Sequence, residues 1–275
     1  VENVQVIDDY GDQANITGIK TGDPEKVLNI NIKRDKNYGY FGQGTAGGGH
    51  DAVHGASGTK NSGRYVASTN TFIFNGNRQV AISGDLNNTN TSLFDFSGGG
   101  RRGGDLPKLF GGNENGITTA HSLGFNYRDD WGKKVSVYGS YSFAGNSVYT
   151  ISKTIQDNIS GQSPSTQNSN STGNDRNSNH RFNFNIEYKP DTANYFKFLP
   201  AFSYKGMHTD ESFANKLQAQ NAGGTLISDY TGSLLSHSSA PNFGLSALYN
   251  HRFRKRGRNF NVWVTAGTTT GNQYQ

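Results

Sequence analysis

Several groups of residues carry spacings that chemistry could use. Gly42-Gln43-Gly44-Thr45-Ala46-Gly47 fits the G-x-G-x-x-G pattern, whose glycines bring backbone close to a pyrophosphate where a helix opens. The next residues are Gly48-Gly49-His50-Asp51, with Gly55 and Gly58 beyond, and such a run is poor helix material. The glycines are therefore read as part of a strand end or loop. His50 and His54 stand four apart, as a zinc-binding helical pair would, but the glycines deny them a helix and Asp51 replaces the hydrolase glutamate. Asp8, Asp9, Asp12, Asp23 and Glu25 make an acidic stretch without the spacing of a calcium loop. Gly98 to Gly104, with Arg101 and Arg102, has the composition of an RNA-binding glycine-arginine tract. In a single copy it is read as a flexible segment whose arginines could contact an anionic ligand. No Ser-His-Asp group, nucleophile elbow or paired carboxylates stand out. The sequence thus predicts no catalytic residue, no cofactor and no metal, and the chain is not expected to be an enzyme.

Any site must then be built on the elements, and composition limits what those are. Of 275 residues only 32% are hydrophobic, yet there are 14 Tyr and 17 Phe, too many aromatics for a chain that never packs. The mean hydropathy is −0.72. Apolar residues confined to a thin, alternating surface would reconcile the two. With no cysteine, disulfides and thiolate metal sites are excluded. No run approaches the ~18 apolar residues of a membrane helix. The net charge of +5 is spread out, with small clusters at Lys133-Lys134 and from Arg252 to Arg258 beside predicted turns. No nucleic-acid-binding module frames these charges, and no nucleic-acid partner is expected.

From about residue 38 onward the dominant period is two. Phe182, Phe184, Ile186 and Tyr188 share one strand face, and Arg181, Asn183, Asn185 and Glu187 the other. The pattern recurs in Leu123, Phe125 and Tyr127, and in Val135, Val137, Tyr141 and Phe143. It recurs again in Phe196, Phe198, Phe202 and Tyr204, interrupted by Pro200, and in Phe260, Val262, Val264 and Ala266, with Trp263 on the polar side. About nine strands are predicted, beginning near residues 38, 64, 79, 118, 134, 180, 195, 243 and 260.

Short connections at Asn75 to Arg78, Arg128 to Lys134, Lys189 to Tyr195 and Arg254 to Asn259 alternate with long ones. The long ones run from Asn87 to Ile117, Ala144 to Asn179 and Gly206 to Asn242. Ser160 to Asn179 and Ser97 to Gly104 are low in complexity and are expected to be mobile and solvated. Ser212 to Gln220 is a candidate short helix. Tight turns at one end and long loops at the other are the pattern of an outer-membrane barrel, because in lipid only a closed sheet pairs all its backbone groups. The fold class expected is all-β: a partial, antiparallel transmembrane β-barrel of about nine strands. A soluble β-sandwich or solenoid with one buried face is the alternative, though no fixed repeat supports a solenoid.

The first ~45 residues add a resemblance. Val1-Glu2-Asn3-Val4-Gln5-Val6-Ile7-Asp8, then Asn29-Ile30-Asn31-Ile32-Lys33, then Tyr38-Gly39-Tyr40-Phe41-Gly42, resemble the end of the plug domain and the first barrel strand of TonB-dependent outer-membrane receptors of the Bacteroidota type. Tyr127-Arg128-Asp129-Asp130-Trp131-Gly132-Lys133-Lys134, the strand start His180-Arg181-Phe182-Asn183 and the glycine-arginine insertion are similar to that subgroup. The resemblance implies two parts, residues 1–37 as the C-terminal part of a plug and 38–275 as the N-terminal portion of a barrel of 22 strands. It implies localisation in the bacterial outer membrane, contact with outer-membrane lipid, coupling to TonB through a segment before Val1, a surface lipoprotein partner and a small ligand. The ligand-binding residues do not emerge from the sequence. Because the chain opens inside a strand and its last strand has no returning partner, a fragment of a longer protein is expected.

Two functions compete. One is energy-coupled uptake of a siderophore, glycan or peptide through a plugged barrel. The other is a non-transporting surface barrel or adhesin-like structural protein, which explains the Asn/Ser/Gly segments equally well but not Val1 to Asn37.

Overall fold

The computed structural model describes residues 3–11, 14, 23–31, 37–51, 63–90, 116–159, 163–221, 223–255 and 257–274, and every element among them is a β-strand. Two separate sheets form. β1 (Asn3–Asp9) and β2 (Glu25–Asn31) make a two-stranded antiparallel sheet, in register from Asn3 opposite Asn31 to Asp9 opposite Glu25. Lys26 crosses it to form an ion pair with Asp8, and that hydrogen bond holds the Lys26 ammonium above its ordinary pKa.

The large sheet is an antiparallel meander in chain order. Its strands are β3 (Tyr38–His50), β4 (Gly63–Asn75), β5 (Arg78–Asn87), β6 (Ile117–Trp131) and β7 (Val135–Asn158), then β8 (Ser165–Tyr188), β9 (Asn194–Ala219), β10 (Leu226–Arg252) and β11 (Asn259–Thr269). β12 (Asn272–Tyr274) continues the register of β11 along β10, opposite His237 to Ser239. Nine strands thus lie side by side, as expected. Among the described residues the sheet does not close: β3 and β11 each pair on one side only.

The short turns lie within the stretches the sequence assigned to them, but β6 runs on through Arg128 to Trp131, paired with β7, so the connection there is only Gly132 to Lys134. Gly76, at φ 63°, supplies the left-handed residue that the two-residue connection Asn75 to Arg78 requires. Gly132, at φ 72°, does the same between β6 and β7. Between β8 and β9 the Asp191 carboxylate accepts from the backbone N–H of Ala193 and Asn194, at 2.8 and 2.7 Å, and from the Asn194 amide. The Asn194 amide first, and then the two N–H groups, hold this carboxyl below the usual carboxylate range.

The long connections depart from expectation. Residues 144–158 and 165–179 are not loop but the outer halves of β7 and β8, paired without interruption from Ala144 opposite Asn179 to Asn158 opposite Ser165. The candidate helix Ser212 to Gln220 is strand as far as Ala219, paired with β8 and β10, and Gly206 to Asn242 is likewise mostly the outer halves of β9 and β10. Ser and Asn have no apolar surface to bury, but a central strand needs none when both neighbours satisfy its backbone. Cross-strand side-chain bonds add to this, including the Asn174 amide nitrogen to Ser147 Oγ at 2.7 Å and Ser169 Oγ to Asn215 Oδ1 at 2.6 Å. Of the third long segment, residues 91–115 lie outside the described part. At its edge, Asn88 bonds the backbone of Tyr65 and Gly63, and Asn90, at φ 59°, bonds Gly116 and Thr118, so two side chains carry the ladder past the end of β5.

Register sorts the side chains into two faces. One row runs Gly42, Thr71, Ile82, Phe125, Tyr141, Phe182, Phe202, Phe243, Thr268, each opposite the next. Rows on either side of it extend the apolar set, on β7 from Val135 to Phe143. The opposite face carries Ser140, Asn183 and Ala201 in one row and Ser136, Glu187, Lys197 and Leu248 in another. Most residues that are nearly inaccessible belong to this second face, among them Ala120, Ser122, Asn146, Lys197 and Asn250. Every substantial contact between elements joins sheet neighbours, so no second layer accounts for that burial.

Candidate functional site

Small side chains open a hollow on the polar face. Ala201 on β9, Gly244 on β10 and Gly267 on β11 stand in one row and form its floor. Arg181, Ser203, Asn242 and Thr269 stand in the next row, with Asn183 beside Ala201. The hollow is a depression open to solvent, with a volume of about 530 Å³. A Cβ on Gly244 would meet the Ala201 methyl at 3.7 Å, an ordinary contact, so the space exists because the side chain is missing. Asn242 Nδ2 reaches Ser203 Oγ at 3.4 Å, while its Oδ1 is buried without a partner. Arg181, Asn183, Ser203 and Thr269 supply donors, and the hydroxyls and amides also accept.

Six residues along β8 from Arg181, toward the short turns, lies a charged ladder. Glu187 stands directly opposite Lys197, which is 4% exposed. Glu187 also accepts from the Tyr138 hydroxyl at 2.9 Å and pairs with Lys189 at 3.4 Å. The Arg128 guanidinium lies 5.7 Å from the Tyr138 ring centre. A lysine this buried requires such company.

The apolar face has its own order. Beside the short turns stand Trp131, Tyr188, Phe196 and Tyr249, with Phe196 stacked on Tyr249 at 4.7 Å. The Trp131 indole donates to the Tyr127 hydroxyl at 3.2 Å, and Arg78 pairs with Asp129 at 2.9 Å. At the other end of the apolar rows, His180 lies 4.7 Å from Phe143 and 5.8 Å from Tyr204, and its Nδ1 is 2.9 Å from the Tyr141 hydroxyl. Between the two belts lie Phe182, Phe184, Phe198, Phe202, Phe243 and Leu245.

Among the described residues, those singled out for chemistry are not brought together. Gly42, Gly44 and Gly47 are in β3, paired with β4. A Cβ on Gly42 would stand 2.7 Å from the Asn70 carbonyl, so close strand pairing accounts for that glycine. His50 ends the same strand, with its Nδ1 2.9 Å from the Asp51 carbonyl; His54 lies outside the described residues. Asp8 is held by Lys26, and Asp9 accepts from the Gly11 N–H; Asp12 is outside the described residues, as are Arg101 and Arg102. The polar-face alternation of Arg181 and Asn183 was legible. Asn242, Gly244, Gly267 and Thr269 were not, because only the register of β10 on its neighbours brings them to Arg181.

No protein-family model matches this chain, and no curated protein matches it.

Proposed function

We propose that this chain is the end of a plug domain and the first strands of the barrel of a TonB-dependent outer-membrane receptor, which takes up a small nutrient with energy from the inner membrane. The observation that carries the reading is the apolar band. Its rows run from Val135 to Phe143 on β7, matching the ~9–11 residues with which a tilted strand crosses a bilayer. Aromatic belts bound it at both ends, as at the two interfaces of outer-membrane barrels. The polar face would then line the lumen, the short turns would face the periplasm, and the outer halves of β7 to β10 would stand above the membrane. β1 and β2 would belong to the plug. The open edges at β3 and β11 call for further strands to close the barrel, since unpaired edges do not persist in lipid.

Two experiments test this. The full-length protein should fractionate with outer membranes and migrate on SDS gels at a heat-dependent position; recovery in the soluble fraction without detergent would sink the reading. The second reading, a non-transporting surface barrel or adhesin, draws on the 24 to 27 residues of each of β7 to β10, far longer than a bilayer needs. Deleting residues 1–37 decides between the two. Loss of energy-coupled uptake with the barrel still inserted supports the receptor, and unchanged uptake removes the plug assignment.

A further inference from the structure

The geometry points to the polar-face hollow at Arg181 as a subsite for a small anion that also carries hydroxyl groups, such as a hydroxycarboxylate. The inference rests on the polar face being a lumen wall, and it adds a ligand class that the receptor reading leaves open.

Charge gives the first half of the class. On the polar face of β7 to β11, Asp175 and Glu187 each lie six residues from Arg181 along β8, about 20 Å at ~3.4 Å per residue. In the rows between them the only charged side chains are Arg181 and Lys205, both cationic. Lys205 stands one row above the hollow, opposite Ala240. Among the described residues neither cation has an acidic partner, whereas Lys189 and Arg78 do. A guanidinium and an ammonium on one wall, with no carboxylate between them, suit an anionic group, and the guanidinium fork suits a carboxylate or phosphate most closely.

The hollow gives the second half. Asn242 Oδ1 is buried and unpartnered, and such an acceptor is costly unless a donor arrives. A bare anion offers none; a hydroxyl beside the anionic group does. Ser203, Asn183 and Thr269 can exchange further hydrogen bonds with the same hydroxyls.

The test exploits a chain without cysteine. Ala240→Cys places one thiol beside Lys205, in the full-length protein held in detergent. An anionic methanethiosulfonate should react with it about fivefold faster, relative to a cationic one, than the two do with a free thiol. Arg181→Gln with Lys205→Gln should return that ratio to the free-thiol value. D-gluconate should slow both reagents, and inorganic phosphate and the neutral polyol sorbitol should do so less. In Gly244→Val, whose side chain enters the hollow, gluconate should lose its protection while the reagent preference stays. A free-thiol ratio in the parent, protection by sorbitol equal to that by gluconate, or protection unaffected by Gly244→Val overturns the inference. Phosphate protecting as well as gluconate also overturns it, by removing the hydroxyl requirement. Heat-dependent migration of the same Ala240→Cys protein reports on the barrel separately. Its persistence without anion protection would sink the subsite alone, and its absence would sink the receptor reading.

Discussion

Two single residues of the large sheet show how little freedom its inner strands allow. Asp191 closes the turn between β8 and β9 as an ionised acceptor, with its carboxyl held below the ordinary range by the Asn194 amide and the Ala193 and Asn194 N–H groups. A carboxyl whose folded pKa is depressed contributes stability above its unfolded value, and that contribution is lost as pH falls through the folded value. Asp191→Ala should therefore unfold at a lower temperature than the parent at pH 7, and the gap should narrow on acidification below the usual carboxylate range. A gap independent of pH would mean that the carboxylate charge plays no part in the turn. Gly139 is constrained differently. A Cβ there would stand 2.3 Å from the Asn183 carbonyl and 2.6 Å from the Phe184 ring. Gly139→Ala should destabilise by roughly 1–3 kcal/mol, the range for overpacking. Because the nearest obstacle is backbone, trimming the ring with Phe184→Ala should not rescue it, and thermal unfolding of the double variant would show whether it does.

At the scale of elements, β7 to β10 divide into an inner half with one apolar face and an outer half whose apolar residues, such as Val148, Ile151, Leu234 and Leu235, are scattered over both faces. On the barrel reading proposed above, only the inner half would meet lipid. Replacing residues 150–173 with Asn-Gly would join Tyr149 to Asn174, which already stand opposite each other, through a two-residue turn suited to hairpins. The shortened protein should still insert and keep its heat-dependent migration, and failure to insert would show that the outer halves nucleate the sheet. The same division explains what could be read from sequence. Strand ends at the short turns were legible because Val135, Tyr188 and Phe196 belong to alternating apolar sets. The outer starts at Ser165 and Leu226 were not. Ser165 to Asn179 has no apolar period, and what holds it extended is pairing with two neighbours, which composition does not record. Pro200 shows the converse. It interrupts the alternation, yet it stays in strand opposite Leu245, and the registered pairs of β8 with β9 skip from Asn183–Ala201 to Ile186–Phe198 around it.

For the whole molecule the open edges decide most. Among the described residues β3 and β11 each leave one side of the ladder without a strand partner, and in a sheet of such length those sides are templates for pairing. Neither edge is blunted by proline, and β11 carries Val262, Trp263 and Val264, all exposed. If these strands belong to a closed barrel, the outward amides of β3 and β11 find carbonyl partners only in the larger protein. Hydrogen exchange offers a direct comparison. In residues 1–275 held alone in detergent, the outward amides of β3 and β11 should exchange far faster than those of β7 to β9, which are paired on both sides. In the full-length protein the edge amides should become as slow as the central ones. Fast exchange at β3 and β11 in both forms would leave the sheet open in the native protein, and with it no means of standing in a bilayer. Slow exchange in the 275-residue form, with a mass of one chain, would mean that these strands close on themselves.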